Sequence, residues 1–302
     1  MKLPRGTRLF AAFSVSLVAG NLSVLGALVN LARLDQTASH IVLIPLVTLM
    51  LIFQRRDSIF ASPGSATLPG IGVIVAGLGI LLAGRLSEPS GSHGGALSVM
   101  AVGLVVAWIG GFLLCYGWNA FRAALFPLLF LGFTVPVPSV LLEPMVLFLK
   151  TGSREAVSGL FMLTGTPYHR EGFVYSLPKF AIEIADECSG IRSSIALLLT
   201  GLMVGHMFLR TWWKKAFLVA IILPVAMLKN GVRIVSLSLL ASYVDPGFLT
   251  GQLHHDGGIV FFLLSLVLLA PLFMLLFSSE TALTSPPIKW LREERVVAGP
   301  IP

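Results

Sequence analysis

The chain has 302 residues, of which 56% are hydrophobic and 12% charged, and its mean hydropathy is +0.90. That is about half the charge of an ordinary soluble domain, which excludes a water-soluble core as the explanation of the whole chain. The net charge of +7 is dispersed in short Lys and Arg clusters between apolar runs, the pattern of the positive-inside rule, so no nucleic-acid role is assigned.

Taken in chain order, the apolar runs predict an all-α membrane protein with about eight transmembrane helices. They lie near residues 9–33, 40–54, 66–84, 96–118, 121–136, 188–210, 216–243 and 258–278. The basic opening Met1 to Arg8 followed by an apolar stretch has features of a signal peptide. The stretch is long and lacks a clear cleavage site, so a retained first span is expected. Lys2, Arg5 and Arg8, then Arg55 and Arg56, Arg122, Arg210 with Lys214 and Lys215, and finally Lys289, Arg292 and Arg295 fall on one side of these spans. Both termini are therefore expected in the cytoplasm of a multi-pass protein embedded in the lipid bilayer. The other side receives Arg33 and Arg85 in short loops and a long segment over 137–187.

That segment precedes the sixth span. It contains Pro138 and Pro144, an amphipathic stretch from Leu141 to Thr164, and two runs, 172–178 and 180–184, that read as short strands. A structured external segment of an amphipathic helix plus short strands is predicted. The expected organisation is N-terminal transmembrane helices over 1–132, a membrane core over 133–278 and a short cytoplasmic tail over 279–302, with no second soluble domain.

Ionisable residues in or beside the spans are the informative ones, because a charge in hydrocarbon costs roughly 2.5 to 3.5 kcal/mol on insertion scales. They concentrate in the last three spans: Glu183, Asp186, Glu187 and Arg192 around Cys188, then Lys229, Asn230 and Arg233, then His254, His255 and Asp256. The predicted topology puts the first and third clusters at the outer face, with Arg233 at a depth that can approach them. Cys188 and Arg192 share a helix face at a spacing of four, as do Lys229 and Arg233. A thiol at a helix N-terminus is favoured as thiolate, although Asp186 and Glu187 oppose this. A histidine can take the proton, and an arginine can hold an oxyanion or a carboxylate. This is an inventory for acyl transfer through a thioester. Structural readings stand beside it: Cys115, among small apolar residues, reads as a packing cysteine. Arg192 can pair with Asp186 or Glu187, and Lys229 can snorkel or neutralise a carboxylate. No metal-ligand spacing is present, and the chemistry requires no metal or organic cofactor.

The run Glu187-Cys188-Ser189-Gly190-Ile191-Arg192-Ser193, the step Asn230-Gly231-Val232-Arg233, and His254 followed by Gly258 and Phe262 resemble the signature of the exosortase and archaeosortase family. The likeness runs from Phe133 to the end of the last span and makes 133–278 an exosortase-like catalytic core. It implies a protein-sorting cysteine transpeptidase of the bacterial cytoplasmic (inner) membrane, with its active site facing the periplasmic side. Its partners would be membrane-anchored secreted proteins carrying a C-terminal tripartite signal (PEP-CTERM-like: short motif, transmembrane helix, basic tail), which it cleaves and transfers to an unknown acceptor molecule. By resemblance Cys188 is the nucleophile, Arg233 the stabiliser and His254 the general acid and base, with His255 the alternative histidine. Arg192, Asn230, Asp256 and Glu187 are supporting candidates. Readings from other classes are a polytopic transporter, with Lys229, Arg233 and Asp256 lining a path, and a non-catalytic chaperone for transmembrane tails. A rhomboid-like serine protease ranks below both, because Ser189 and Ser193 lack the expected surroundings.

Overall fold

The computed structural model describes residues 4–61, 64–87, 93–185, 190–249 and 258–284. Cys188, Glu187, His254, His255 and Asp256 lie outside the described residues. The chain forms two compact units, Met1–Val146 and Leu147–Pro302.

The fold is that of an all-α membrane protein with a small sheet. Among the described residues, five helices are long and apolar enough to cross a membrane, and up to seven spans result if each of two bent helix pairs is counted as one. The predicted count of eight differs for local reasons. The run 9–33 is two helices, α1 (Arg5–Ala19) and α2 (Leu22–Leu34), bent by 72°. The bend falls at Gly20 and Asn21, where the Asn21 amide donates to Leu17 O at 2.8 Å and so satisfies a carbonyl freed by the break. The run 40–54 forms α3 (Leu43–Gln54), whose twelve residues extend only about 18 Å. After α4 (Arg56–Ile59), α5 (Thr67–Ser87) and α6 (His93–Ala123), the run 121–136 yields only the six-residue α7 (Leu125–Phe130) and a 3-10 turn. Pro136 and Pro138 follow and end helical continuation.

In the first unit the dominant contact is α5 against α6. Gly70, Gly77 and Gly84 recur every seven residues on α5, and Gly103 and Gly110 answer them on α6. A Cβ built at Gly77 would lie 2.4 Å from Ala107 N, and one at Gly103 would lie 2.5 Å from Leu81 N. The two backbones therefore approach to a distance that only glycine permits, the usual route to helix association in lipid, where apolar side chains gain nothing over lipid tails. Phe10 of α1 packs against Trp108 and Phe112 of α6, at centroid distances of 5.0 and 5.7 Å.

Helix α8 (Ser139–Leu163) begins in the first unit and continues into the second, where a three-stranded antiparallel sheet follows it: β1 (His169–Glu171), β2 (Val174–Ser176) and β3 (Ala181–Glu183), in the order β1-β2-β3. The predicted helix and two strands are present, and β1 adds a third. Tyr175 is fully buried beneath the sheet with Val157, Phe161 and Ile184. Helices α9 (Ile191–Phe208), α10 (Trp212–Tyr243) and α11 (Gly258–Thr284) complete the unit. Gly201 meets Ile222 and Gly205 meets Leu218, so α9 and α10 run antiparallel. Lys214 Nζ donates to Ser279 Oγ at 2.8 Å, while Leu218 packs with Leu276, so α10 and α11 do too.

Substituting Gly77→Leu should force α5 and α6 apart and cost about 1–3 kcal/mol, by analogy with overpacked cores. Gly79→Leu, at a position with nothing within 4 Å, should leave the protein close to wild type. Thermal unfolding of both variants in the same detergent checks this.

Candidate active site

Three elements of the second unit converge where α9 begins. Gly190 precedes α9 with φ +77° and ψ 12°, a left-handed conformation that costs other L-residues roughly 1–2 kcal/mol. Its carbonyl accepts the hydroxyls of Ser193 and Ser194, each at 2.9 Å. These bonds close the turn over 190–194 that opens α9; in the sequence one residue, Ser189, stands between Cys188 and the glycine.

The turn lies against α10. A Cβ at Gly190 would sit 3.1 Å from Asn230 Cγ. Lys229 Nζ hydrogen-bonds to Ser193 Oγ, and Asn230 Nδ2 donates to Ser153 Oγ of α8 at 3.1 Å. Lys229, Asn230 and Ser153 are 3%, 1% and 0% exposed, so these hydrogen bonds are made inside the protein. Close approach of α8 is permitted by small residues: a Cβ at Gly231 would meet Ala156 Cβ at 2.8 Å.

Arg233 is half-buried on α10, one turn beyond Lys229 and Asn230 and on their side of the helix. Arg192 is exposed in the first turn of α9. Of the first predicted cluster, Glu183 and Arg192 are described; α9, which carries Arg192, is joined to α10, which carries the second cluster, through Gly190, Ser193, Lys229 and Asn230. The third is carried by the segment between Leu249 and the start of α11, outside the described residues. Cys115 lies half-buried in α6, in the other unit.

Sequence reasoning missed Ser153. The available signal was the i, i+4 series Leu149, Ser153, Val157 and Phe161, whose buried members include a serine in an apolar row. It also missed the polar network behind the sheet. Tyr175 Oη donates to Arg154 O at 2.7 Å and lies 2.8 Å from Ser158 Oγ. Arg170 donates to Ser158 Oγ at 2.9 Å and pairs with Glu155 at 3.3 Å. Hydrogen bonding to Tyr175 and Glu155 holds the Arg170 guanidinium above its ordinary pKa. The network ties the sheet to α8 and so fixes the strand that leads into the turn.

A family model described as transmembrane exosortase matches residues 30–271, most of the chain and all of the site just described. No curated protein and no solved structure matches.

Gly190→Ala should destabilise by about 1–2 kcal/mol from its backbone conformation, with a further steric contribution from Asn230. A double-mutant cycle with Asn230→Ala should recover the steric part only. Unfolding midpoints of the two single variants and the double variant, with non-additive losses, check this.

Proposed function

The chain belongs to the transmembrane exosortase family, membrane-embedded cysteine transpeptidases that sort proteins, and from that membership we propose that it cleaves a C-terminal tripartite sorting signal of secreted proteins and transfers the product to an acceptor. Cys188 is the nucleophile. Its thiolate attacks the carbonyl carbon of the scissile peptide bond, Arg233 steadies the oxyanion or the substrate tail, and His254 protonates the departing amine as the C–N bond breaks. An amine, a hydroxyl or water then attacks the thioester and releases the thiol. The enzyme sits in the bacterial inner membrane with its termini in the cytoplasm and its site on the periplasmic side.

The observation that supports this reading is the contact between the two motifs: Gly190 of the cysteine run packs on Asn230, and Ser193 bonds Lys229, on the helix that carries Arg233. One observation favours a second reading. Ser193 and Lys229 form the hydrogen-bonded pair that a Ser–Lys hydrolase uses. Against it, the Ser193 hydroxyl is engaged with the Gly190 carbonyl in the first turn of α9, and Lys229 is almost wholly enclosed.

The test is the intact mass of a co-expressed secreted reporter ending in a short motif, an apolar helix and a basic tail. Wild type should remove the tail, Cys188→Ala should abolish removal, and His254→Ala should slow it by about 10²–10⁴-fold. Arg233→Lys should fare worse than its retained charge suggests, because an ammonium lacks the planar fork. Removal unchanged in Cys188→Ala overturns the nucleophile and advances the transporter or chaperone reading. Removal that survives Cys188→Ala and is lost in Ser193→Ala advances the Ser–Lys reading.

A further inference from the structure

The register of the sheet fixes which backbone groups β3 offers to its surroundings. Ile184 N donates to Phe173 O at 3.0 Å and Leu177 N to Phe180 O at 2.8 Å, while Tyr175 stands opposite Ile182. Residues 180, 182 and 184 therefore turn their N–H and C=O groups toward β2. By the alternation of an antiparallel ladder, Ala181 and Glu183 turn theirs away from it. β3 is the last strand of the sheet, and both residues are exposed. Among the described residues nothing pairs with this edge.

The two edges of the sheet differ in character. β1 reads His169-Arg170-Glu171, three ionisable side chains in a row, with His169 and Glu171 3.3 Å apart and Arg170 bonded to α8. Charged edges discourage pairing with another strand. β3 reads Ala181-Ile182-Glu183, with Ile182 turned inward and one ionisable side chain where β1 has three.

β3 also lies along α10. Lys179, in the turn before it, donates to Ser242 O. Ile182 and Ile184 pack in one cluster with Ile234, Val235 and Leu239, and the chain arrives at Asn230 by Gly190. Lys179 thus lies at the level of residue 242 of α10, Ile182 and Ile184 at that of residues 234–239, next to Arg233 in the sequence of that helix, and Gly190 at that of residue 230.

We propose that the outer edge of β3 holds an extended peptide segment of the substrate protein by main-chain pairing to Ala181 and Glu183. This inference rests on the transpeptidase reading and names how that site takes its substrate. Ala181 and Glu183 are two residues apart, about 6.8 Å along the strand, and supply two donors and two acceptors. That is too little to hold a second copy of this chain. It is enough to align a short extended stretch whose tail is already confined to the same membrane, and to lead it along α10, the helix that carries Arg233.

Glu183→Pro removes one outward donor without touching a β2–β3 hydrogen bond, and Glu183→Ala removes only the side chain. With purified enzyme and the purified tailed reporter in nanodiscs, Glu183→Pro should lower kcat/KM about tenfold relative to Glu183→Ala with kcat unchanged, the expected size for one hydrogen bond. A benzoyl-phenylalanine photo-crosslinker at position 181 should capture the reporter, and one at position 170 on β1 should not. Wild-type cleavage with an unaffected Glu183→Pro, or with no capture at position 181, overturns the edge proposal and leaves the transpeptidase reading intact. No cleavage by wild type defeats the transpeptidase reading itself. If Glu183→Pro melts early, the crosslinks in the otherwise intact enzyme decide.

Discussion

Lys229 and Asn230 sit adjacent and buried in the middle of an apolar helix, and the organisation of the second unit depends on satisfying them. A polar group enclosed at membrane depth must find its partner within the protein. Neighbouring residues on a helix point about 100° apart, so these two recruit different elements: Asn230 takes Ser153 from α8 and Lys229 takes Ser193 from α9. One two-residue step therefore fixes three helices around the place where α9 begins. Removing Ser193 takes from the enclosed Lys229 ammonium an acceptor inside the protein, which costs more than the bond contributes.

Small residues make that arrangement reachable. A Cβ on Gly231 would collide with Ala156, one on Gly152 with Met227, and one on Gly201 with Ile222. The first unit uses the same device over a longer interface, with glycines every seven residues on α5. The purposes differ. Along α5 and α6 close approach yields packing alone, whereas around Asn230 it brings hydroxyls and an amide within hydrogen-bonding distance. Apolar helices gain little from one another in lipid, so shape and a few buried polar bonds carry the specificity.

Composition and the run lengths of apolar residues made the fold class legible, because a spanning helix needs a length that few other structures require. The number of spans was not legible in the same way. A break at Gly20-Asn21 leaves the hydropathy of 9–33 unchanged, since a side-chain amide and Arg85 satisfy the bend from within. In the candidate site, Arg192, Asn230 and Arg233 stood out as polar residues at spans, and the structure brings the helix carrying the last two against the turn that follows Cys188. Ser153 did not stand out: a serine in an amphipathic stretch reads as surface until its neighbour is known. β1 was missed because His169-Arg170-Glu171 has no alternation of apolar and polar residues, the signal on which a strand is recognised.

The two ends of the α9–α11 bundle use their polar groups in opposite ways. At one end the Glu280 carboxylate accepts the backbone N–H groups of Arg210 and Thr211 at 2.7 and 2.8 Å, with Lys214 beside it at 3.9 Å. An anion and the positive end of α10 are matched there, and the ion pair is enclosed, so the charges at that end are consumed in holding the bundle closed. At the other end the helix start is shaped by a left-handed glycine and two hydroxyls, with no acidic side chain in the first turn of α9. The positive end of that helix is consequently not neutralised by its own first turn, and Lys229 and Arg233 add charge of the same sign nearby. The asymmetry follows from where irregular backbone is tolerated. Only at helix ends can a turn such as Gly190 exist without leaving groups unpaired in hydrocarbon, so the irregular backbone sits where α9 begins, while the enclosed ion pair at the other end holds the bundle closed.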